Sequence, residues 1–299
     1  MKKELVIILL ACISLLASCS KNPFSNGEEK EYDRLLDKPF TTVDIGDNFN
    51  VTLLHSDASH PGGSIHIKTG ENLIDGIRTD IEGDTLIIRN ENNYDFLRPY
   101  DYTREITVYY DSLLRIRLNS NAECIQTDTL YGYMHSTHFS LNDSTGFDSL
   151  VPNLMVEVLG GSGDFNILTN CFKISLRYLE GTSSIHLKGK AIQSSMSADY
   201  DSHGIIDCAD LETHYLWLIH DGTNVVTARA IYLFSATNDN IGHVHYIRYY
   251  KTMKKIIWGH YENHHWVHND TIDTVYYCPI SVYKKGVYKE NITSIHDTP

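Results

Sequence analysis

The chain has 299 residues, with 25 lysines and arginines against 38 aspartates and glutamates and a formal charge of −13. Without a basic stripe, that balance argues against nucleic acid or a bare anionic membrane surface as partner. Six cysteines with no CxxC pair argue against a zinc knuckle or a thioredoxin-like site.

The chain opens "MKKELVIILLACISLLASCS": two lysines, an apolar run from Leu5 to Leu16, then small residues up to Cys19. This is the layout of an export signal. The run is shorter than the ~18–20 apolar residues of a spanning helix. Its ending, Leu16-Ala17-Ser18-Cys19, resembles the bacterial lipobox, in which the cysteine is acylated and becomes the new first residue. The competing reading is an ordinary cleaved signal with Cys19 incidental. The lipobox reading predicts a signal peptide over 1–18, lipidation of Cys19 and anchorage at the outer membrane or cell surface. Each buried acyl methylene contributes ~0.8 kcal/mol to such an anchor. Residues 19–38, polar and charged, read as a flexible tether.

From 39 to 113 short runs rich in Val, Ile, Thr and Tyr follow one another, separated by turn residues: "TTVDIG", "FNVTLLH", "SIHIKT", "DTLIIRN" and "EITVYYDSLLRIRL". They read as strands, with no sustained helical period anywhere. Between 114 and 250 a repeat emerges. The stretch "VEVLGGSGDFNIL" (Val156–Leu168) has counterparts at Gly181, near Asp201, at Gly222 and at Gly242, and upstream near Asn121 and Asn142. Flanking apolar positions keep step: Phe165 and Ile167 recur as Ile185 and Leu187, and Val156 and Val158 as Leu176 and Tyr178. A period of about twenty residues made of short strands and tight turns predicts a solenoid in which each repeat is one coil. The glycine run is then a corner. A P-loop would need Gly-Lys-Ser/Thr entering a helix, whereas Gly163 is followed by Asp164 and more strand, so no nucleotide is expected.

The "GGSGDFNIL" corner and the lead-in "FTTVDIGDNFNVTLLH … IEGDTLIIRN … EITVYYDSLLRIRLNSNA" resemble the bacterial family called putative auto-transporter adhesin, head GIN domain, over roughly Phe40 to Tyr250. The resemblance implies a right-handed parallel β-helix, export with frequent lipid anchoring in Bacteroidetes, an adhesin-like role and no established catalytic residues. Other corners depart from GSGD, reading EGTS, DSHG, DGTN and NDNIG. The fold expectation is therefore all-β: a β-strand region, then a parallel β-helix of ~20-residue coils, closed by an aromatic and histidine-rich cap over 251–299.

Several constellations could carry chemistry. In "WGHYENHHWVHND" (Trp258–Asp270), His260, His264 and His268 would share one face of a helix and could hold zinc or copper. On a strand, His260, Glu262 and His264 would share a face instead. The alternative is that Trp258 and Trp266 cover the open core end as solenoid caps do. Trp258, Tyr261 and Trp266 also offer stacking platforms for sugar rings. At the corners stand Asp164, Asp199, Asp201, Asp221 and Asp239; stacking could pair Asp201 with Asp221 for calcium or acid–base work, although aspartate is the ordinary turn residue there. Cys124, Cys171, Cys208 and Cys278 could form disulfides outside the cytoplasm or serve as small core residues.

The leading functional expectation is a lipid-anchored, non-enzymatic β-solenoid that presents a rigid face to a glycan or to an envelope or host protein, without cofactor. A second is a carbohydrate-active β-helix, lyase or glycosidase, using corner aspartates with Arg177, Arg229 or a lysine. A purely structural envelope component is a third.

Overall fold

The computed structural model describes residues 25–93, 97–98, 103–120, 124–130, 153–248, 250–262, 265–277 and 280–295. The signal peptide, Cys19, the Asn142 corner, His264 and Cys278 lie outside the described residues. Among the described residues the fold is all-β, as expected, with short 3-10 turns such as Ile74–Gly76 and Lys289–Asn291.

The strands of the first half are β1 (Glu29–Leu35), β2 (Thr42–Asp47), β3 (Asn50–His55), β4 (Ser64–Gly70), β5 (Ile77–Glu82), β6 (Thr85–Asn90), β7 (Glu105–Tyr110), β8 (Arg115–Ser120) and β9 (Cys124–Thr127). Then come β10 (Asn153–Gly161), β11 (Asp164–Gly181), β12 (Ser184–Ser202), β13 (Ile206–Cys208), β14 (Leu211–His220), β15 (Val225–Ala230), β16 (Leu233–Asn238) and β17 (His243–Arg248). The last four are β18 (Tyr250–Glu262), β19 (His265–Tyr277), β20 (Ser281–Lys285) and β21 (Ile292–Ile295).

Two parallel ladders organise them. One runs β6–β2–β8–β10–β11–β12–β14–β16–β20. The other runs β7–β3–β9–β11–β12–β13–β15–β17–β21. The long strands β11 and β12 belong to both, one half in each. Alternation explains why: Leu176, Met196, Leu216 and Leu218 point inward from the first ladder, and Phe165, Ile185, Ile206 and Val226 from the second, all essentially without solvent exposure. They form one continuous apolar core, and the Phe234 and Tyr246 rings meet across it at 5.0 Å.

The predicted repeat appears as register. Asp164 lies opposite Ser184, Ile185 opposite Ile206 and Val226 opposite Val244. Stacked corners also explain the glycines. Gly181 has φ +107°, and a Cβ there would stand 2.6 Å from the Gly161 carbonyl oxygen of the corner beneath. Buried polar groups bridge other corners. The Tyr178 hydroxyl donates to the Ser183 carbonyl (2.8 Å), and burial pushes that phenol up to about 12. His220, fully buried, sets Nδ1 2.8 Å from Asn238 Oδ1 and Nε2 2.8 Å from Asn224 Oδ1. Since the Asn238 amide nitrogen donates to the Gly242 and Tyr288 carbonyls, its oxygen accepts and His220 carries a proton on Nδ1.

Four expectations change. First, pairing is mixed rather than parallel throughout: β1 on β4, β4 on β7 and β5 on β6 are antiparallel, and so is the β18–β19 ribbon. The antiparallel strands close the β6/β7 end, where Arg34 of β1 donates to the Ile74 and Ile77 carbonyls and the Thr79 hydroxyl. Second, the tether expected over 19–38 contains strand β1; besides Arg34, its charged residues include Glu29, which pairs with Lys68 of β4, and Lys30, which pairs with Glu71 just past β4. Third, rungs that lie two periods apart in the sequence are direct neighbours: Cys124 is opposite Asp164 and Arg115 opposite Met155. Fourth, the segment expected to be a cap is divided. Strands β18 and β19 make the ribbon, and the chain then returns to add a final parallel rung, β20 on β16 and β21 on β17. There the Lys284 ammonium lies 5.4 Å from the Tyr246 ring centroid and donates to the Ile292 carbonyl (2.6 Å).

Candidate ligand-binding face

A strand whose odd positions are inward must send its even positions out. On β14, Leu216 and Leu218 fill the core, so Tyr215, Trp217 and Ile219 project from the first ladder. Trp217 and Ile219 are 42% and 56% exposed. Their neighbours on both sides are small: register places Ser195 and Ser197 of β12 on one side and Ser235 and Thr237 of β16 on the other. The result is an apolar ridge standing over two rows of hydroxyls, in a cleft of about 450 Å³. The stripe continues around the corner. Tyr215 packs on Trp217 with ring centroids 6.4 Å apart and on Tyr232 at 5.9 Å, and Tyr232 meets His214 edge-on at 5.2 Å.

Nothing in the core calls for these rings. Large exposed aromatics grouped on one face mark binding surfaces. The five hydroxyls of Ser175, Ser195, Ser197, Ser235 and Thr237 have no hydrogen-bond partner among the described residues, because the ladder already satisfies the backbone around them.

Toward β8 the same face turns ionic. Glu157 of β10 is buried at 7% exposure, with Arg117 Nε 3.2 Å, Arg177 Nη1 3.7 Å and Arg115 Nε 3.9 Å from its carboxylate. One row reads Asp44, Arg117, Glu157, Arg177, alternating in sign from strand to strand, and Arg89 closes it by donating to Asp44 at 2.8 Å. A second cleft of about 530 Å³ opens here and shares Met155 and Ser175 with the first.

The residues singled out from sequence fare differently. Trp258, Tyr261 and His260 lie on β18 and Trp266 and His268 on β19, with Tyr261 opposite Trp266 and Gly259 opposite His268. The segment is strand, so the helical spacing that would align His260, His264 and His268 does not apply. Among the described residues no group of three His, Cys, Asp or Glu side chains is placed to hold a metal ion. Asp201 and Asp221 are not paired. Asp201 lies opposite Glu180, whereas the Asp221 amide donates to the Ala198 carbonyl, aligning Asp221 with Asp199; the Asp239 amide bonds the His220 carbonyl one rung on. Arg177 sits on the first ladder and Arg229 on the second, so they do not converge on one site. Cys171 and Cys208 are buried free thiols, and burial raises both thiol pKa values.

The Trp217 ridge was overlooked in the sequence although its signal was present. Aligning "HYLWLIH" on the repeat, with Leu216 and Leu218 under Ile174 and Leu176, forces Tyr215, Trp217 and Ile219 outward.

Comparison with known proteins agrees with this architecture. The family model described as putative auto-transporter adhesin, head GIN domain, matches residues 39–248. No curated protein matches the sequence. Among solved structures, a putative adhesin from Bacteroides fragilis aligns over 91% of this chain and 99% of its own, with TM-score 0.60 and 14% identity. A putative adhesin and a putative lipid binding protein, both from Parabacteroides distasonis, each align over 91% of this chain at TM-score 0.53 and 13% identity, covering 99% and 98% of their own lengths. At such identities the likeness is one of fold.

Proposed function

The chain belongs to the family described as putative auto-transporter adhesin, head GIN domain, and on that premise we propose an adhesin-like, non-enzymatic binding module that stacks a glycan on the Trp217 ridge. The observation that carries this reading is the exposed Tyr215–Trp217–Tyr232 stripe over serine and threonine hydroxyls that have no partner among the described residues. A pyranose has one apolar face and a rim of hydroxyls. An indole receives the face, and a row of serines receives the rim. We read the two ladders as opposite sides of a right-handed parallel β-helix, a scaffold whose outer faces are held rigid by the register steps beneath them. We place the molecule outside the cytoplasm, held at the outer membrane or cell surface by an acyl group on Cys19; the lipobox-like Leu16–Cys19 supports this.

Binding is preferred to hydrolysis because no corner aspartate lines the cleft beneath the ridge and Asp201 is not aligned with Asp221. The test is a glycan array probed with residues 20–299 and with Trp217→Ala. Retention on a glycan that Trp217→Ala loses supports the reading; equal retention by both proteins removes it. Release of reducing ends from any retained polysaccharide would instead favour the carbohydrate-active alternative. Mass spectrometry of the membrane-extracted N-terminal peptide checks Cys19 acylation.

A further inference from the structure

Arg115, Arg117 and Arg177 share a single carboxylate. Among the described residues Glu157 is the one anionic partner of all three. Each guanidinium carries five N–H donors and a carboxylate accepts about four bonds, so most of these donors remain available. The buried Glu157 therefore acts as a fixed post that gathers three guanidiniums on the surface and leaves two positive charges in excess, on a chain whose formal charge is −13. Of the neighbouring carboxylates, Asp44 is paired with Arg89, whereas Asp84, on the lining of the second cleft, accepts from the neutral Thr41 and Thr85 hydroxyls and keeps its negative charge.

Register fixes where this cationic end lies relative to the ridge. Arg177 is opposite Ser197, which is opposite Ile219; one step along, Ser175, Ser195 and Trp217 form the adjacent row. Two strand spacings separate the arginine from the ridge, about 10 Å, the length of two linked sugar rings. The two clefts meet at Met155 and Ser175, so no wall stands between them.

Resting on the glycan reading above, we infer that the ligand is an acidic glycan: one ring stacks on Trp217 while a carboxylate or sulfate on a neighbouring ring is held by Arg177 and Arg117. Arginine suits this role because its planar fork matches either anion in a bidentate contact.

The inference is tested by calorimetry on residues 20–299 with two matched pairs: trigalacturonate against its carboxyl-reduced trimer, and chondroitin sulfate hexasaccharide against its desulfated form. The acidic or sulfated member of one pair is expected to bind about tenfold more tightly. That advantage should vanish in Arg177→Met and Arg117→Met, which keep the apolar stem, and return in part in Arg177→Lys. The pair that shows the advantage tells a uronate from a sulfate. Equal affinity within both pairs overturns the inference and leaves the glycan reading standing, as does an array on which only neutral glycans bind through Trp217. Binding that ignores Trp217→Ala overturns both.

Discussion

The two ladders share one core but present opposite kinds of outer face. On the second ladder, outward side chains bond one another across rungs: His186 lies 3.5 Å from Asp207, His245 2.9 Å from the Thr293 hydroxyl, and Lys188 3.9 Å from Asp210. That face is polar and largely satisfied by its own neighbours. The first ladder instead exposes an aromatic ridge, hydroxyls without a partner among the described residues, and an arginine group that outnumbers its carboxylate. Identical inward patterning means that folding does not account for the difference. Only the outward half of each strand is free to vary, and on the first ladder that half carries rings and guanidiniums.

The strongest way to break this comparison is to cross the sheet on β14. Leu218→Ala, inward, should cost about 2–5 kcal/mol, visible as a lower urea midpoint. Trp217→Ala, one residue away and outward, should leave the midpoint within about 0.5 kcal/mol of the parent while abolishing glycan binding. Comparable destabilisation by both would make Trp217 a structural residue. Next in size is Glu157→Ala, which sets three guanidiniums beside one another without their anion. A loss of about 1–3 kcal/mol is expected, smaller in high salt because added ions screen the repulsion.

A corner group gives a pH-dependent version. The folded Tyr178 phenol is raised to about 12 from an ordinary 10, so its contribution is complete below pH 10 and lost as pH rises toward 12. Equilibrium unfolding followed across that range should show stability falling, and Tyr178→Phe should flatten the fall while losing the Ser183 hydrogen bond. The smallest effect belongs to the second face. His186→Ala should change stability by less than about 0.5 kcal/mol and glycan affinity not at all. A loss of binding there would reassign the site to the other ladder.

Some of this was legible in the letters. Apolar residues at matching offsets, with Gly, Ser, Asn and Asp between them, mark strands and corners because a period of two and a positive φ are local demands. The recurrence of Phe165 and Ile167 as Ile185 and Leu187 is read directly from the sequence, and the register agrees. Trp258 and Trp266 stand out in the letters alone, whereas Trp217 gains its meaning only once its neighbours are known to be serines.

What the sequence determined by itself is the all-β character, the stacking interval and the family, since these rest on contacts between a residue and its equivalents one repeat away. Tertiary structure alone decided which rungs touch. Arg115 meets Met155 two periods on, β20 returns to β16 after the ribbon, and Asp221 aligns with Asp199 rather than Asp201. The reason is physical. A ladder is specified by backbone hydrogen bonds that every residue offers alike, so the letters set the faces of a strand but not the partner it finds.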